Sequence, residues 1–167
     1  GVRVHLSDLR KRPTLAELAK LIDTRKARGG TARDRYPELE VMQEGSELMP
    51  VFWFHGGFGT VQPYVPLVRA IGGVGELPFY AIQARGMRTD DPPITDLIEM
   101  GRYYAEIIHH VQPTGDTQIG GYSHGGRVAY EVARHLQLKG RRVKNIVMID
   151  SAFPLKVKMT ERTRYII

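Results

Sequence analysis

The sequence contains no cysteine, so disulfides, thiolate metal sites and a cysteine nucleophile are excluded. It has no apolar run approaching the roughly 18 residues of a membrane span, and its N-terminus lacks the apolar core of a signal peptide. It also shows no cluster of metal-ligating side chains. These absences lead us to expect a cytoplasmic protein with no membrane partner and no metal.

Acidic residues are scarce at the N-terminus, and this scarcity accounts for the net charge of +6. Residues 1–36 hold ten Lys and Arg against four Asp and Glu, whereas residues 37–167 hold fourteen of each kind. Basic charge indicates nucleic-acid binding when a recognised binding motif accompanies it, and none does here. We therefore expect no nucleic-acid partner and interpret the basic segment as a solvated helix and linker.

Strand-like and helix-like segments alternate through most of the 167 residues. Short apolar runs predict buried strands, and apolar residues at helical spacing predict helices. The predicted strands are 39–43, 50–54, 79–83, 117–122 and 143–149, and the predicted helices are 64–71, 94–111 and 127–138. This alternation requires crossover connections, so we predict an α/β fold whose mainly parallel sheet has helices on both faces.

The segment GGYSHGG at 120–126 joins a predicted strand to a predicted helix. Ser123 lies at the apex of this turn between Gly121 and Gly125, which is the Gly-x-Ser-x-Gly pattern of a nucleophile elbow. Glycine at these positions avoids collisions with the neighbouring strand and helix. We predict that Ser123 is a catalytic nucleophile; a plain glycine-rich turn is the alternative.

A second glycine-rich segment, HGGFG at 55–59, directly follows the predicted strand 50–54. Loops at the carboxyl ends of parallel strands gather at one edge of the sheet, so this loop should lie beside Ser123. Its backbone N–H groups could then stabilise an oxyanion. We predict an oxyanion hole formed by the backbone N–H groups of Gly57 and His124; glycines that merely permit a tight turn are the alternative.

Two charged residues follow other predicted strands. Asp150 ends the strand 143–149, where its carboxylate could orient a catalytic histidine; a turn-forming aspartate is the alternative. Arg85 follows the strand 79–83 and would either line the mouth of a pocket or form a structural ion pair. We favour the catalytic role for Asp150 and the structural ion pair for Arg85.

Together, these motifs resemble the thioesterase domains of nonribosomal peptide and polyketide synthases, which have the α/β-hydrolase fold. The matching segments are HGGFG at 55–59 with Tyr64, QARG at 83–86, GYSHGG at 121–126 with AYEVA at 129–133, and IDS at 149–151. The resemblance implies that Ser123 and Asp150 are catalytic and that the backbones of Gly57 and His124 form the oxyanion hole.

The same resemblance implies a substrate and a reaction. An acyl or peptidyl thioester would arrive on the phosphopantetheine of a carrier domain, acylate the serine, and be released by hydrolysis or by macrocyclisation. No cofactor would be bound directly by this chain. Two alternatives stay open: another serine α/β-hydrolase, such as an esterase or an acyltransferase, and a non-catalytic module that retains the fold.

Residues 1–28 are predicted to be a short helical piece outside the sheet. Thr14 and Glu17 have the spacing of a capping box. VRVHLSDL at 2–9 and RPTLAELA at 12–19 resemble the last third of an acyl or peptidyl carrier domain. This resemblance implies a carrier remnant at 1–28, a linker at 29–36, the N-terminal part of a thioesterase domain at 37–167, and an upstream carrier of the same synthase as partner. A helix simply docked on the main domain is the alternative.

A general base is the missing part of the predicted site. In the resembled family the catalytic histidine follows the aspartate and a helical lid, whereas no histidine follows His135 here. None of the six histidines has a suitable expected geometry, and His55 and His124 are expected to pack structurally. We therefore expect a fragment in which residues 160–167 begin the lid. Alone, it should be inactive and should expose an apolar sheet edge.

Overall fold

A five-stranded sheet lies at the centre of the computed structural model, which describes residues 2, 4, 6–28, 35–46, 48–71 and 77–152. The strands are β1 (Leu39–Gln43), β2 (Val51–Phe54), β3 (Phe79–Ile82), β4 (Thr117–Tyr122) and β5 (Val143–Ile149). The helices are α1 (Leu6–Lys11), α2 (Leu15–Arg28), α3 (Val65–Ile71), α4 (Leu97–Val111) and α5 (His124–Leu138). Every predicted strand and helix is therefore present, with small shifts at the ends.

The strand order is β1-β3-β2-β4-β5, and only the pairing of β1 with β3 is antiparallel within the described residues. Phe54 at the end of β2 is in register with Gly121 in β4. Tyr122 at the end of β4 is in register with Ile149 at the end of β5. The segments that follow β2, β4 and β5 therefore emerge at one edge of the sheet.

Alternate side chains of β2 enter two different cores. Phe52 and Phe54 are fully buried in a cluster that includes the apolar faces of α4 and α5. Trp53 points to the opposite face, where it clusters with Tyr64 and Val68 from the segment around α3. This period-2 alternation is what a strand covered on both faces requires. The predicted α/β architecture with helices on both faces is confirmed.

Two helices begin three residues away from their predicted starts. The start of α4 is residue 97 rather than 94, because Asp96 caps it by accepting a 2.8 Å hydrogen bond from the N–H of Glu99. The start of α5 is residue 124 rather than 127, because the helix winds directly out of the elbow, with the Gly126 N–H 3.2 Å from the Ser123 carbonyl oxygen. The glycine pair at 125–126 therefore belongs to the helix.

The N-terminal helices are joined to each other by an ion pair, and the first of them packs against the sheet. The predicted capping box is present: the Thr14 N–H donates to the Glu17 carboxylate at 3.2 Å, and the Glu17 N–H donates to Thr14 Oγ1 at 3.3 Å. The buried carboxylate of Asp8 in α1 accepts two hydrogen bonds, of 2.7 and 3.0 Å, from Arg25 in α2. Of the two N-terminal helices, α1 packs against β1.

The strand β5 forms an edge of the sheet in the described part of the chain. Val147 and Ile149, which share one face of β5, are each 44% exposed. The lid segment predicted at 160–167 lies outside the described residues, as does His5. No helix among the described residues is long and apolar enough to cross a membrane.

Candidate active site

Ser123 occupies a strained backbone conformation between β4 and α5. Its φ of 55° and ψ of −118° lie outside the regions that non-glycine residues normally adopt. The conformation is held by a 2.8 Å hydrogen bond from its N–H to the carbonyl oxygen of Ile149. Ser151 Oγ adds a 2.8 Å hydrogen bond to the carbonyl oxygen of Ser123. Such strain persists only where the surroundings impose it, which makes Ser123 a functional candidate on geometry alone.

The glycines around Ser123 are required by packing. A Cβ on Gly121 would collide with the backbone of Gly125. A Cβ on Gly125 would lie 2.5 Å from the carbonyl oxygen of Phe54 and 2.8 Å from that of His55. These contacts are closer than real Cβ atoms make, and backbone atoms cannot move aside cheaply. The predicted collision with the neighbouring strand and helix is confirmed.

The loop at 55–59 is fixed at its ends and open in its middle. The Gly59 N–H donates to the Gly56 carbonyl oxygen at 3.0 Å, and the Gly59 carbonyl accepts a 2.8 Å hydrogen bond from the N–H of Ala84. The φ of Gly59 is +77°, so a tight turn is part of the reason for glycine here. Gly57, by contrast, is exposed, and a Cβ on it would meet nothing within 4 Å.

Two backbone N–H groups are free at this edge of the sheet. Within the described residues, neither the N–H of Gly57 nor that of His124 has a hydrogen-bond partner. They follow β2 and β4, which are neighbouring parallel strands. The His124 N–H also belongs to the first turn of the 15-residue helix α5, where orphan N–H groups and the helix dipole favour negative charge.

Asp150 follows β5 immediately beside the elbow. The carbonyl of the preceding residue, Ile149, is the group that accepts the Ser123 N–H. Asp150 has a positive φ of 49°, and its exposed carboxylate makes no hydrogen bond to any described residue. The structure therefore brings Ser123 and Asp150 to one edge of the sheet and leaves the carboxylate available.

Two histidines lie close to the site, and both are packed. His55 is buried; its Nδ1 is 2.8 Å from the Gly56 carbonyl oxygen and its Nε2 is 3.1 Å from the Tyr104 hydroxyl. Burial lowers the pKa of His55. The half-buried ring of His124 lies 5.9 Å from that of His55, and burial, followed by Arg127, lowers the pKa of His124. Neither ring is hydrogen-bonded to Ser123, which agrees with their expected structural packing.

The other described histidines lie toward the opposite edge of the sheet. His109 and His110 are in the last turn of α4, and His135 is in the last turn of α5. His135 Nε2 is 3.1 Å from the carbonyl oxygen of Ile98. It is about 16 Å along the helix from the elbow at 1.5 Å per residue. The described part of the chain also contains no group of three acidic or histidine side chains that could hold a metal.

Arg85 is held by neighbouring side chains. Its guanidinium is 3.4 Å from the carboxylate of Asp91 and lies over the ring of Tyr103, 5.2 Å from the ring centroid. These contacts agree with the structural ion pair. Two other polar contacts near the site were not predicted from sequence. They involve Tyr104, whose only signal was its helical spacing, and Ser151, whose signal was its place after Asp150.

The geometry of the site agrees with a family assignment. The sequence model of the Thioesterase domain family matches residues 49–164, which include Ser123 and Asp150. The chain belongs to the thioesterase domain family. Its curated relatives include a polyketide synthase, PksR of Bacillus subtilis, which is 40% identical over 159 residues covering 93% of this chain and 6% of PksR.

Other relatives of this thioesterase domain are atromentin synthetases and proteins named after them. The atromentin synthetase of Tapinella panuoides is 34% identical over 140 residues, which cover 84% of this chain and 14% of that protein. A protein of Paxillus involutus named inactive atromentin synthetase invA4 is 36% identical over 140 residues, which again cover 84% of this chain and 14% of that protein. The chain therefore spans a small part of the curated relatives it matches.

Solved structures similar to this thioesterase domain agree with the assignment. The four-domain nonribosomal peptide synthetase holo-AB3403, bound to AMP and glycine, superposes with a TM-score of 0.69 and 26% identity. The match covers 98% of this chain and 12% of that one. The NocB thioesterase domain in covalent complex with a fluorophosphonate nocardicin G analogue has a TM-score of 0.57 and 25% identity, covering 64% of this chain and 45% of its own.

Proposed function

We propose that Ser123 accepts an acyl or peptidyl chain from a phosphopantetheine thioester and that the chain is then released from the serine. The observation that carries the proposal is the strained Ser123, with φ of 55° and ψ of −118°, at the start of α5. A serine held in this way projects its hydroxyl above the carboxyl edge of the sheet. The family assignment supports the thioester as the bond attacked.

The proposed acylation step uses four described residues. Ser123 Oγ bonds to the thioester carbonyl carbon while its proton passes to a histidine that Asp150 orients. The negative charge that forms on the carbonyl oxygen is stabilised by the free N–H groups of Gly57 and His124. The C–S bond then breaks, and the pantetheine thiolate takes the proton from the histidine. Water or an internal hydroxyl or amine next attacks the acyl carbon and gives a proton to the histidine. The bond to Ser123 Oγ then breaks, Oγ takes the proton back, and an acid or a macrocycle is released.

We propose that none of the described histidines is the base in this scheme. The ring of His124 is packed beside that of His55, 5.9 Å away. His55 is hydrogen-bonded to Gly56 and Tyr104, and His135 to Ile98. His109 and His110 are in the last turn of α4, away from the elbow. Asp150 has an exposed carboxylate with no partner among the described residues, which fits a group that receives a histidine from elsewhere.

A carrier domain of the same synthase is proposed as the partner that delivers the thioester. The similarity to the four-domain synthetase extends over 98% of this chain and so includes the N-terminal helices. Those helices are tied together by Asp8 and Arg25, and α1 contacts β1. This supports a carrier remnant at 1–28 that is docked against the thioesterase part.

Fluorophosphonate labelling of the full-length protein tests the nucleophile. The Ser123→Ala variant should lose labelling completely, and the Ser46→Ala variant, at an exposed serine away from the elbow, should label as the unaltered protein does. Undiminished labelling of Ser123→Ala would overturn the assignment. Comparing pantetheine thioesters with matched oxygen esters then separates a thioesterase from another serine esterase or acyltransferase.

A non-catalytic module is the second candidate function. It is favoured by the absence of a histidine bonded to Ser123 among the described residues, and one relative is itself named an inactive synthetase. If Ser123 of the unaltered full-length protein takes no fluorophosphonate label, this candidate is the better one.

A further inference from the structure

The peptide unit between Gly56 and Gly57 has a hydrogen-bonded carbonyl oxygen and a free N–H. Its carbonyl oxygen accepts hydrogen bonds from His55 Nδ1 at 2.8 Å and from the Gly59 N–H at 3.0 Å. Its N–H is the free one of Gly57. Because a trans peptide unit is planar, its C=O and N–H point in opposite directions. Fixing the direction of the carbonyl therefore also fixes the direction of the N–H.

The contacts of His55 favour one tautomer of its neutral ring, in which the proton is on Nδ1. A carbonyl oxygen only accepts hydrogen bonds, so Nδ1 must carry the proton that points to Gly56. Burial lowers the pKa of His55 and favours the neutral ring. In the neutral ring Nε2 is an acceptor, and it lies 3.1 Å from the hydroxyl of Tyr104. The hydroxyl carries one proton and also has the Gln83 carbonyl oxygen within reach at 3.3 Å. Donation to the nearer acceptor, Nε2, selects the Nδ1–H tautomer.

Tyr104 is itself fixed by the core. Its side chain is fully buried, and its ring stacks on that of Phe54 with centroids 5.9 Å apart and an interplanar angle of 9°. Burial raises the pKa of the Tyr104 hydroxyl, so it keeps its proton. The carbonyl of Gln83, the second acceptor of its proton, directly follows β3. Tyr104 therefore connects the core to His55, and His55 in turn contacts the Gly56–Gly57 peptide.

We propose that Tyr104 and His55 are positioning residues that aim the Gly57 N–H at the oxyanion formed on the Ser123 adduct. Both act through the Gly56–Gly57 peptide, with no contact to the reacting atoms. The inference rests on the proposed function and deepens it. It predicts that the Tyr104 hydroxyl affects the rate of the chemical step and leaves substrate binding unchanged.

The Tyr104→Phe variant tests this, because it removes the hydroxyl and keeps the buried ring. In the full-length protein, kcat for release of a pantetheine thioester should fall about tenfold with KM unchanged, and fluorophosphonate labelling of Ser123 should slow by a similar factor. Removal of a whole oxyanion donor costs about 100- to 1,000-fold, and a misaimed donor should cost less. Urea unfolding followed by fluorescence verifies that the variant is folded.

Tyr103→Phe is the matched control. It makes the same change one residue earlier on α4, where the hydroxyl donates to Glu38 at 3.2 Å and has no link to His55. Its kcat should stay within about twofold of the unaltered protein. Equal losses in the two variants, or a Tyr104→Phe loss that appears only in KM, would overturn the positioning role.

A direct measurement of the His55 tautomer makes the test independent of activity. With ¹⁵N-labelled histidine, the unaltered protein should show the Nδ1–H tautomer for His55, and Tyr104→Phe should show a mixture. An Nε2–H tautomer in the unaltered protein would overturn the inference. If Ser123 of the unaltered protein is not labelled, the proposed function itself fails and the inference with it. If it is labelled and Tyr104→Phe keeps full kcat, only the positioning role fails.

Discussion

Two glycine-rich loops meet at the site, and they contain glycine for different physical reasons. In the elbow, a Cβ on Gly121 or Gly125 would overlap backbone atoms. In the loop at 55–59, a Cβ on Gly57 would meet nothing within 4 Å. The elbow glycines permit close packing of strand and helix, whereas Gly57 leaves its own N–H open to solvent.

The difference separates the rigid part of the site from the accessible part. The elbow forces Ser123 into a strained conformation, and the packed backbone around Gly125 supplies the constraint. The other loop is held only at its ends, by Gly56 and Gly59, so that its middle can face a substrate. Similar glycine patterns in a sequence therefore do not indicate a similar structural role.

The largest expected effect is that of Gly125→Ala. Its Cβ would lie 2.5 Å from the carbonyl oxygen of Phe54, so β2 and α5 must separate. We expect a loss of about 3 kcal/mol or more in the free energy of unfolding, at the upper end of overpacking costs. Urea unfolding followed by the fluorescence of Trp53, the one tryptophan of the sequence, measures it. A loss below about 1 kcal/mol would show that the elbow is not tightly packed.

A smaller effect is expected from pH, because His55 and His124 lie between the two loops. Burial lowers the pKa of both rings in the folded protein. As pH falls, the unfolded chain therefore takes up protons before the folded protein does. The contribution of these two neutral rings to the free energy of unfolding is fully present above the unfolded pKa of about 6.5, and it is lost as pH falls through the lower folded pKa values. The urea midpoint should therefore be lower at pH 5.5 than at pH 7.5, a window in which most carboxylates stay ionised.

A histidine variant refines the pH measurement. His124→Asn should make the pH dependence shallower, because it removes one of the two buried rings. A urea midpoint that is constant, or that rises as pH falls, would contradict the burial of these rings in neutral form.

The smallest effect is expected for Gly57→Ala, the counterpart of Gly125→Ala in the open loop. The added Cβ has free space, and the φ of Gly57 lies outside the left-handed region. The change in free energy of unfolding should stay within about 1 kcal/mol and should favour the folded state, because alanine restricts the unfolded chain. A loss similar to that of Gly125→Ala would remove the distinction between the loops.

Much of the fold could be predicted because its signals are local. The alternation of Phe52, Trp53 and Phe54 between two cores, and the capping box of Thr14 and Glu17, each depend on neighbours within a few residues. The start of α5 could not be predicted in this way. Glycines at 125 and 126 disfavour a helix locally, and only contact with Phe54, His55 and Ser151 explains why the helix contains them.

The residues of the candidate site also divide into those predictable from local signals and those defined by tertiary contacts. The spacing in GGYSHGG and the aspartate after an apolar run were enough to predict Ser123 and Asp150 as neighbours at a sheet edge, since parallel strands bring their carboxyl ends together. That Gly57 has an open N–H, and that His55 is bound to Tyr104, was not predictable. These contacts join residues far apart in the chain.

The order of strands and helices along the chain, the elbow at Ser123 and the membership of a thioesterase family follow from the amino-acid sequence alone, because they depend on short-range periodicity, steric demand and motif order. The tertiary structure sets which glycines are packed and which N–H groups are free. It also sets which histidines are buried, because each of these depends on how β2, β4, α4 and α5 approach one another. The elbow is therefore a property of the chain, and the environment that could make Ser123 reactive is a property of the fold.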